Sequence, residues 1–256
     1  MNYLLDIQDV SLYFGGVRAL GDVTLGVEQG EVLGLIGPNG AGKTTLMNAI
    51  SGIYRPTAGR IAFGRRVISD QPPHRIAKLG IGRTFQVVQP FANLSVLENV
   101  AVGAMFAGTR GVLGSRAQAM RMAGIALERV GLSGRADMLP GQLTLSNRKR
   151  LELARALSTN PSLLLLDEVM AGLNHSEIGG LVNLIQKIRR DGTTVIVIEH
   201  VMRAILAVCD RIAVLQSGSI ITVGDPAAVI SDPRVIGAYL GNRFVERQKR
   251  KALEVA

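Results

Sequence analysis

Two short stretches of this 256-residue chain carry residue types that could do chemistry together. The first is Gly37, Pro38, Asn39, Gly40, Ala41, Gly42, Lys43 and Thr44, which satisfies the pattern G-x-x-x-x-G-K-[ST]. Glycines at these places let backbone N–H groups turn inward around phosphate oxygens, and the start of the following helix adds partial positive charge. Lys43 can bridge a β- and a γ-phosphate, and the Thr44 hydroxyl can ligate Mg²⁺. Thr45 completes the candidate nucleotide-binding residues of this stretch. The second is Asp167-Glu168, which follows four leucines, Leu163 to Leu166. An apolar strand ending in two acids puts both carboxylates at the carboxyl edge of a sheet, where open α/β sheets bind ligands. Asp167 would hold Mg²⁺ through its shell, and Glu168 would polarise an attacking water.

These residues need a frame, and the sequence pattern supplies one. Stretches 5–14 and 19–27 alternate like strands of an antiparallel sheet. Residues 31–36 read as a short apolar strand, followed by the glycine loop and a helix over 44–51. Residues 60–63 and 66–68 read as a hairpin around Gly64, and 74–79 as a helix. The middle is helical, with repeating apolar faces over 95–103 and 115–130 separated by the Gly-rich stretch 108–114. A helix over 148–157 runs into Pro161. Strands then alternate with helices: strands over 162–166, 193–198, 211–215 and 218–223, helices over 177–190 and 201–209. Such alternation implies a parallel sheet covered on both faces. The fold class expected is α/β: a P-loop NTPase core with a parallel sheet, an N-terminal antiparallel β subdomain and an inserted helical subdomain. The division expected is 1–90 with 158–241 as the nucleotide-binding core, 91–157 as the helical subdomain, and 242–256 as a basic C-terminal tail.

Composition bounds the function classes. The net charge is +9, spread along the chain apart from one basic cluster at 243–251. That cluster reads as a solvated tail, or as a contact for lipid or a partner. With 4% aromatic residues and no Trp, a stacking platform for single-stranded nucleic acid is poorly supplied. The one cysteine, Cys209, excludes an internal disulfide and reads as a small buried residue on a helix. No stretch approaches the roughly 18 apolar residues that span a bilayer, and no signal peptide is visible. A soluble, intracellular protein is expected.

A phosphate loop alone does not name a job. Further elements make the chain resemble the ATP-binding subunits of ABC transporters. Thr84-Phe85-Gln86 stands where that family has its Q-loop, which implies that Gln86 reaches Mg²⁺ and the attacking water. Ile198-Glu199-His200 follows a strand and is similar to the family's switch histidine, implying a contact of His200 with the γ-phosphate. Ala171-Gly172-Leu173-Asn174 resembles the D-loop. Phe14, before Gly15-Gly16, resembles the aromatic that stacks on adenine, with Tyr13 as its rival. The stretches 81–86 (IGRTFQ), 127–132 (LERVGL), 150–157 (RLELARAL) and 232–241 (DPRVIGAYLG) look like the subgroup that serves branched-chain amino acid importers. The resemblance covers about residues 4–241. It implies ATP and Mg²⁺ as ligands and a dimer of ATPase subunits, identical or not. It also implies docking on membrane permeases fed by a periplasmic binding protein, and a place at the inner face of the plasma membrane. Nucleic acid is not an expected partner. An exporter ATPase for lipid or polysaccharide, and a soluble ABC ATPase, are the alternatives. The soluble ones usually carry long coiled coils or two ATPase halves, and neither is present.

The chain departs from the family at its signature, LSGGQ or LSYGQ, which clamps the nucleotide held by the partner subunit. Here the stretch is Leu143-Thr144-Leu145-Ser146-Asn147. Thr144 keeps a hydroxyl, while Ser146 adds a Cβ that disfavours any positive φ a glycine there would use. Two readings stay open: a tolerated variant, or a weakened site opposite a partner with the standard signature. Val169 stands where the family usually has Pro. Arg148-Lys149-Arg150, early on a helix, oppose the helix dipole. They read as a solvated face, with contact to a partner or to nucleotide phosphate as the alternative.

Overall fold

The computed structural model describes residues 3–85, 89–106 and 115–240. Two sheets form its frame. The antiparallel one has the order β2-β1-β4-β5, from strands β1 (Leu5–Phe14), β2 (Val17–Val27), β4 (Ala58–Phe63) and β5 (Arg66–Val67). The other has the order β10-β9-β3-β8-β7-β6, from β3 (Val32–Ile36), β6 (Ile81–Arg83), β7 (Leu163–Asp167), β8 (Thr194–Ile198), β9 (Arg211–Gln216) and β10 (Ser219–Gly224). All its pairings are parallel except β10 with β9. This is the α/β architecture that the alternating pattern implies.

The central strands are apolar throughout because both faces are covered. The pleat divides their side chains between two cores. Leu33, Leu35, Leu163, Leu165, Ile196 and Ile198 enter a core shared with the antiparallel sheet and with α1 (Lys43–Ile50). Val32, Ile36, Leu164, Leu166, Val195 and Val197 enter a second core. This one is shared with α3 (Val96–Phe106), α4 (Arg116–Val130), α5 (Leu145–Leu157) and α6 (His175–Arg190). Burying each such side chain contributes about 1.5–3 kcal/mol. The helix that follows the glycine loop is therefore clamped between two sheets, and the ends of β3, β7 and β8 are brought to one edge.

The structure differs from the sequence pattern in three places. The stretch 81–86 contains a strand, β6, paired to β7 from Ile81↔Leu163 to Arg83↔Leu165. It is too short to show alternation. Helix α5 begins at Leu145 rather than at 148, because the Thr144 hydroxyl caps it by accepting the Asn147 N–H at 3.3 Å. Two C-terminal helices, α8 (Pro226–Ile230) and α9 (Pro233–Leu240), stand where no helix is expected from periodicity. Each starts on an Asp-Pro pair. Asp225 accepts the N–H of Ala227 and Asp232 that of Arg234, with proline at the first helical position. Among the described residues, α2 (Pro73–Lys78) and α7 (Met202–Val208) complete the α-helices. Gly-rich 108–114 and the basic cluster at 243–251 lie outside the described residues.

Candidate functional site

The loop between β3 and α1 has the backbone its glycines permit. Gly37, Gly40 and Gly42 have φ of 151°, 77° and 104°, in the region side chains rarely adopt. At Gly37 space forbids a side chain as well, since a Cβ there would stand 2.0 Å from the Leu215 carbonyl oxygen. Helix α1 starts on Gly42, with no side-chain cap and no acid in its first turn, so its opening N–H groups keep their positive potential for an anion. The Lys43 ammonium folds back on the loop, donating to the carbonyls of Gly37 at 2.7 Å and Pro38 at 3.0 Å. Burial lowers its pKa, while Glu168 and Asp167 pull it up. The Tyr239 hydroxyl of α9 faces the Gly37 N–H, and its pKa is raised by burial and lowered by that N–H.

Above the loop is an open cavity of about 710 Å³, bounded by Arg18 and Ala19 of β2, residues 39–45, Glu168 and His200. Glu168 and His200 come from the ends of β7 and β8. His200 Nε2 lies 2.8 Å from Glu168 Oε1. Glu168 is held at φ 50°, a left-handed conformation that costs a non-glycine residue about 1–3 kcal/mol. Its N–H donates to the Ile198 carbonyl at 2.9 Å.

Asp167 is buried and bonded on one side only. Its Oδ2 meets Arg83 at 3.3 Å, and Arg83 also donates to Asn48 Oδ1 and Ser51 Oγ, both at 2.7 Å. Burial raises the Asp167 pKa first, and Arg83 lowers it; burial likewise lowers that of Arg83. Asp167 Oδ1 is buried without a hydrogen-bond partner. A buried carboxylate oxygen left open beside a phosphate loop fits a hard cation such as Mg²⁺, which takes one or two carboxylates together with phosphate oxygens.

A second groove, of about 810 Å³, runs from Thr44 and Asp167 past Arg83 to the exposed rings of Phe85 and Phe91. Gln86, expected at this place, lies outside the described residues. Phe14 stands half exposed at the end of β1, its ring edge-on to Tyr54 with centroids 5.0 Å apart, and Tyr13 is equally exposed.

The stretch 143–147 departs from what its sequence suggests. Ser146 is buried in the first turn of α5 and has no positive φ, so its Cβ adds no backbone strain. Leu145 is exposed, and its side chain would meet a Cβ at Gly172 at 3.1 Å, which places 171–174 beside it. Of the three cations that follow, Arg148 is exposed as a solvated face requires and Arg150 is half-buried, whereas Lys149 is buried. Arg148 donates to the Leu143 carbonyl and Arg150 to that of Val130, while Lys149 is buried and donates to the Glu168 carbonyl at 3.2 Å. Each satisfies a carbonyl of its own chain, which offsets the unfavourable place near the start of a helix.

Sequence reasoning gives no role to Arg83 or Glu199, and offers Lys149 only together with its neighbours, as a solvated face or a contact to a partner or to nucleotide phosphate. Arg83 lies in a stretch whose resemblance points to Gln86 and to the branched-chain subgroup, and it carries no signal of its own. Glu199 carried a usable signal: it ends an apolar strand at the same sheet edge as Asp167. Cys209 caps the end of α7 partly buried, with its thiol pushed up to about 12.

The comparisons with known proteins agree with this geometry. Residues 20–171 match the family model described as ABC transporter. The chain belongs to the ABC transporter family. Residues 219–245 match a second family model, described as branched-chain amino acid ATP-binding cassette transporter. One relative is the high-affinity branched-chain amino acid transport ATP-binding protein LivG of Salmonella typhimurium, 38% identical over 93% of this chain and 98% of the relative. Another is the corresponding protein BraF of Pseudomonas aeruginosa, 39% identical over the same shares. Among solved structures, a nucleotide-free ATP-binding cassette from an ABC transporter superposes with a TM-score of 0.85 at 32% identity, covering 92% of this chain and 98% of that one. An ATP-binding cassette in its ADP conformation gives the same score and identity, covering 93% and 99%. As a member of this family, the chain is an ABC-type ATPase. Among the described residues, no helix is long and apolar enough to cross a membrane.

Proposed function

We propose that this ABC ATPase powers an importer for branched-chain or related amino acids. The observation that carries the solute class is the match of residues 219–245 to the branched-chain cassette family, in a chain whose relatives are named for that transport. The substrate is ATP. The loop 37–45 and the open start of α1 bind its phosphates, and Lys43 leaves the Gly37 and Pro38 carbonyls to bridge the β- and γ-phosphates. Thr44 and Asp167, with Gln86 by the family resemblance, would hold Mg²⁺, which when bound would supply charge neutralisation at the phosphate oxygens. Phe14 offers its exposed face to the adenine.

Hydrolysis is an in-line displacement. Glu168 accepts a proton from water as the water oxygen bonds to the γ-phosphorus, and the bond from that phosphorus to the β–γ bridging oxygen breaks, leaving ADP and phosphate. His200 orients Glu168 and contacts the γ-phosphate, which accounts for their 2.8 Å separation. A second ATPase subunit, identical or not, receives Thr144, Leu145, Ser146 and Asn147 against its own nucleotide. With no strain at Ser146, the altered signature reads as a tolerated variant. The groove mouth with Phe85 and Phe91 suits a segment of a membrane permease, which holds the ATPase at the inner face of the plasma membrane. A periplasmic binding protein supplies the solute.

The experiment is uptake by proteoliposomes containing the complex that co-purifies with this chain. Leucine uptake that needs ATP inside and the binding protein outside is expected. Uptake of an unrelated solute class with leucine excluded overturns the solute assignment.

A further inference from the structure

The loop that carries Glu168 is gripped by two buried side chains to which the reaction above gives no role. Lys149 comes from α5, one turn after the Thr144 cap, and Glu199 from the end of β8. Both are nearly inaccessible. The Lys149 ammonium donates to the Glu168 carbonyl at 3.2 Å, and Glu199 Oε1 accepts the Met170 N–H at 2.7 Å. The His200 N–H also faces the Glu199 carboxylate. Two further bonds close the same turn: the Ala171 N–H donates to the Glu168 carbonyl, and the Glu168 N–H to that of Ile198.

The strain at Glu168 gives this grip its purpose. A left-handed conformation at a non-glycine residue persists only where its surroundings over-determine it. Here one peptide is fixed at its oxygen by a cation and the other at its N–H by an anion, from two separate elements. The carboxylate of Glu168 gets its direction from that backbone. His200 Nε2, which lies 2.8 Å from that carboxylate, is itself more than a third exposed and sits one residue beyond Glu199. A small rotation of the Glu168–Met170 turn would misdirect the carboxylate and leave the phosphate loop untouched.

We propose that Lys149 and Glu199 are positioning residues that hold the turn at Glu168–Met170, aiming the Glu168 carboxylate for the chemical step without contacting nucleotide. The proposal rests on Glu168 being the base in the reaction above.

The test is ATP turnover by the full chain in its co-purified complex, with nucleotide binding followed separately by a fluorescent ATP analogue. Glu199→Ala and Lys149→Met, each checked to be folded, should lower kcat between about 10- and 100-fold, the loss expected from misplacing a catalytic group by about an ångström. KM and analogue affinity should stay at their wild-type values. Glu199→Gln keeps an oxygen that can accept both N–H groups, and Lys149→Arg keeps a donor, so each should recover most of kcat. Equal damage in the alanine and glutamine variants, or losses of kcat and affinity that track loss of folded protein, would reduce the pair to a structural role and overturn the proposal. Should Glu199→Ala fail to fold, Lys149→Met against Lys149→Arg makes the same comparison. Glu168→Gln serves as the control. Normal turnover in Glu168→Gln removes the underlying reading of the base, whereas normal turnover in Lys149→Met beside an inactive Glu168→Gln overturns the positioning alone.

Discussion

Replacing Glu199 by glutamine should make the protein more stable, and increasingly so as the pH rises. Burial pushes the Glu199 carboxyl up from 4.5 to about 7, and Glu168 adds to the rise. The N–H groups of Met170 and His200, with Lys149, hold it back. A folded-state pKa raised above the unfolded value means that the native protein binds this proton more tightly than the unfolded chain. Stability from this group is therefore fully present below pH 4.5 and is lost as the pH climbs through about 7. At about 1.4 kcal/mol per pH unit, the interval amounts to about 3 kcal/mol. Glutamine does not titrate, and groups that do not interact with Glu199 cancel in the difference between the two proteins, leaving its own titration and its coupling to Glu168 and Lys149. Urea unfolding of both, at pH values from about 4.5 to 8, gives that difference, provided the denaturant slopes agree. It should move by about 3 kcal/mol in favour of Glu199→Gln across the range. A difference that stays flat would show that Glu199 keeps an ordinary carboxyl, and the account of a charge forced into the sheet edge would fail.

Other substitutions test other parts of the site. Arg83→Leu leaves the buried Asp167 carboxylate without its cation and should cost about 3–5 kcal/mol in urea unfolding. A cost under about 1 kcal/mol would mean that the pair is solvated in solution. Gly37→Ala sets a Cβ 2.0 Å from the Leu215 carbonyl, so the loop or β9 must shift. Calorimetric titration should find ATP binding lost, and binding at wild-type affinity would contradict the loop geometry. Ser146→Gly should destabilise by at most about 0.5 kcal/mol through helix propensity and leave turnover of the assembled complex unchanged, since Ser146 sits in an unstrained helical turn. A clear rise in turnover would revive the reading of a weakened site.

Much of this arrangement is legible in the residues. The glycine loop, the acids after four leucines and the alternating strands and helices announce the α/β core, because each is a local pattern with a backbone cause. The phosphate binding proposed for 37–44 needs little beyond the glycines, the lysine and the following helix. What sequence reasoning could not see depends on contacts between distant segments. Arg83 and Asp167 are 84 residues apart and meet only because β6 lies beside β7. Lys149 looks like one of three surface cations until α5 is packed against the end of β7. The helix start at Leu145 is set by a cap: the Thr144 hydroxyl accepts the Asn147 N–H, which opens the helix three residues before the apolar pattern shows it. The Asp-Pro starts of α8 and α9 were readable by their capping chemistry, although the helices are too short for periodicity to show.

In the proposed reaction Glu168 is the group that activates water for ATP hydrolysis. Single-turnover hydrolysis of ATP by the complex carrying Glu168→Gln, run beside ATP binding by the same protein, tests it most directly. The account predicts that ATP stays bound and uncleaved, with the subunits trapped together. ATP cleaved at the wild-type rate in that complex would contradict it.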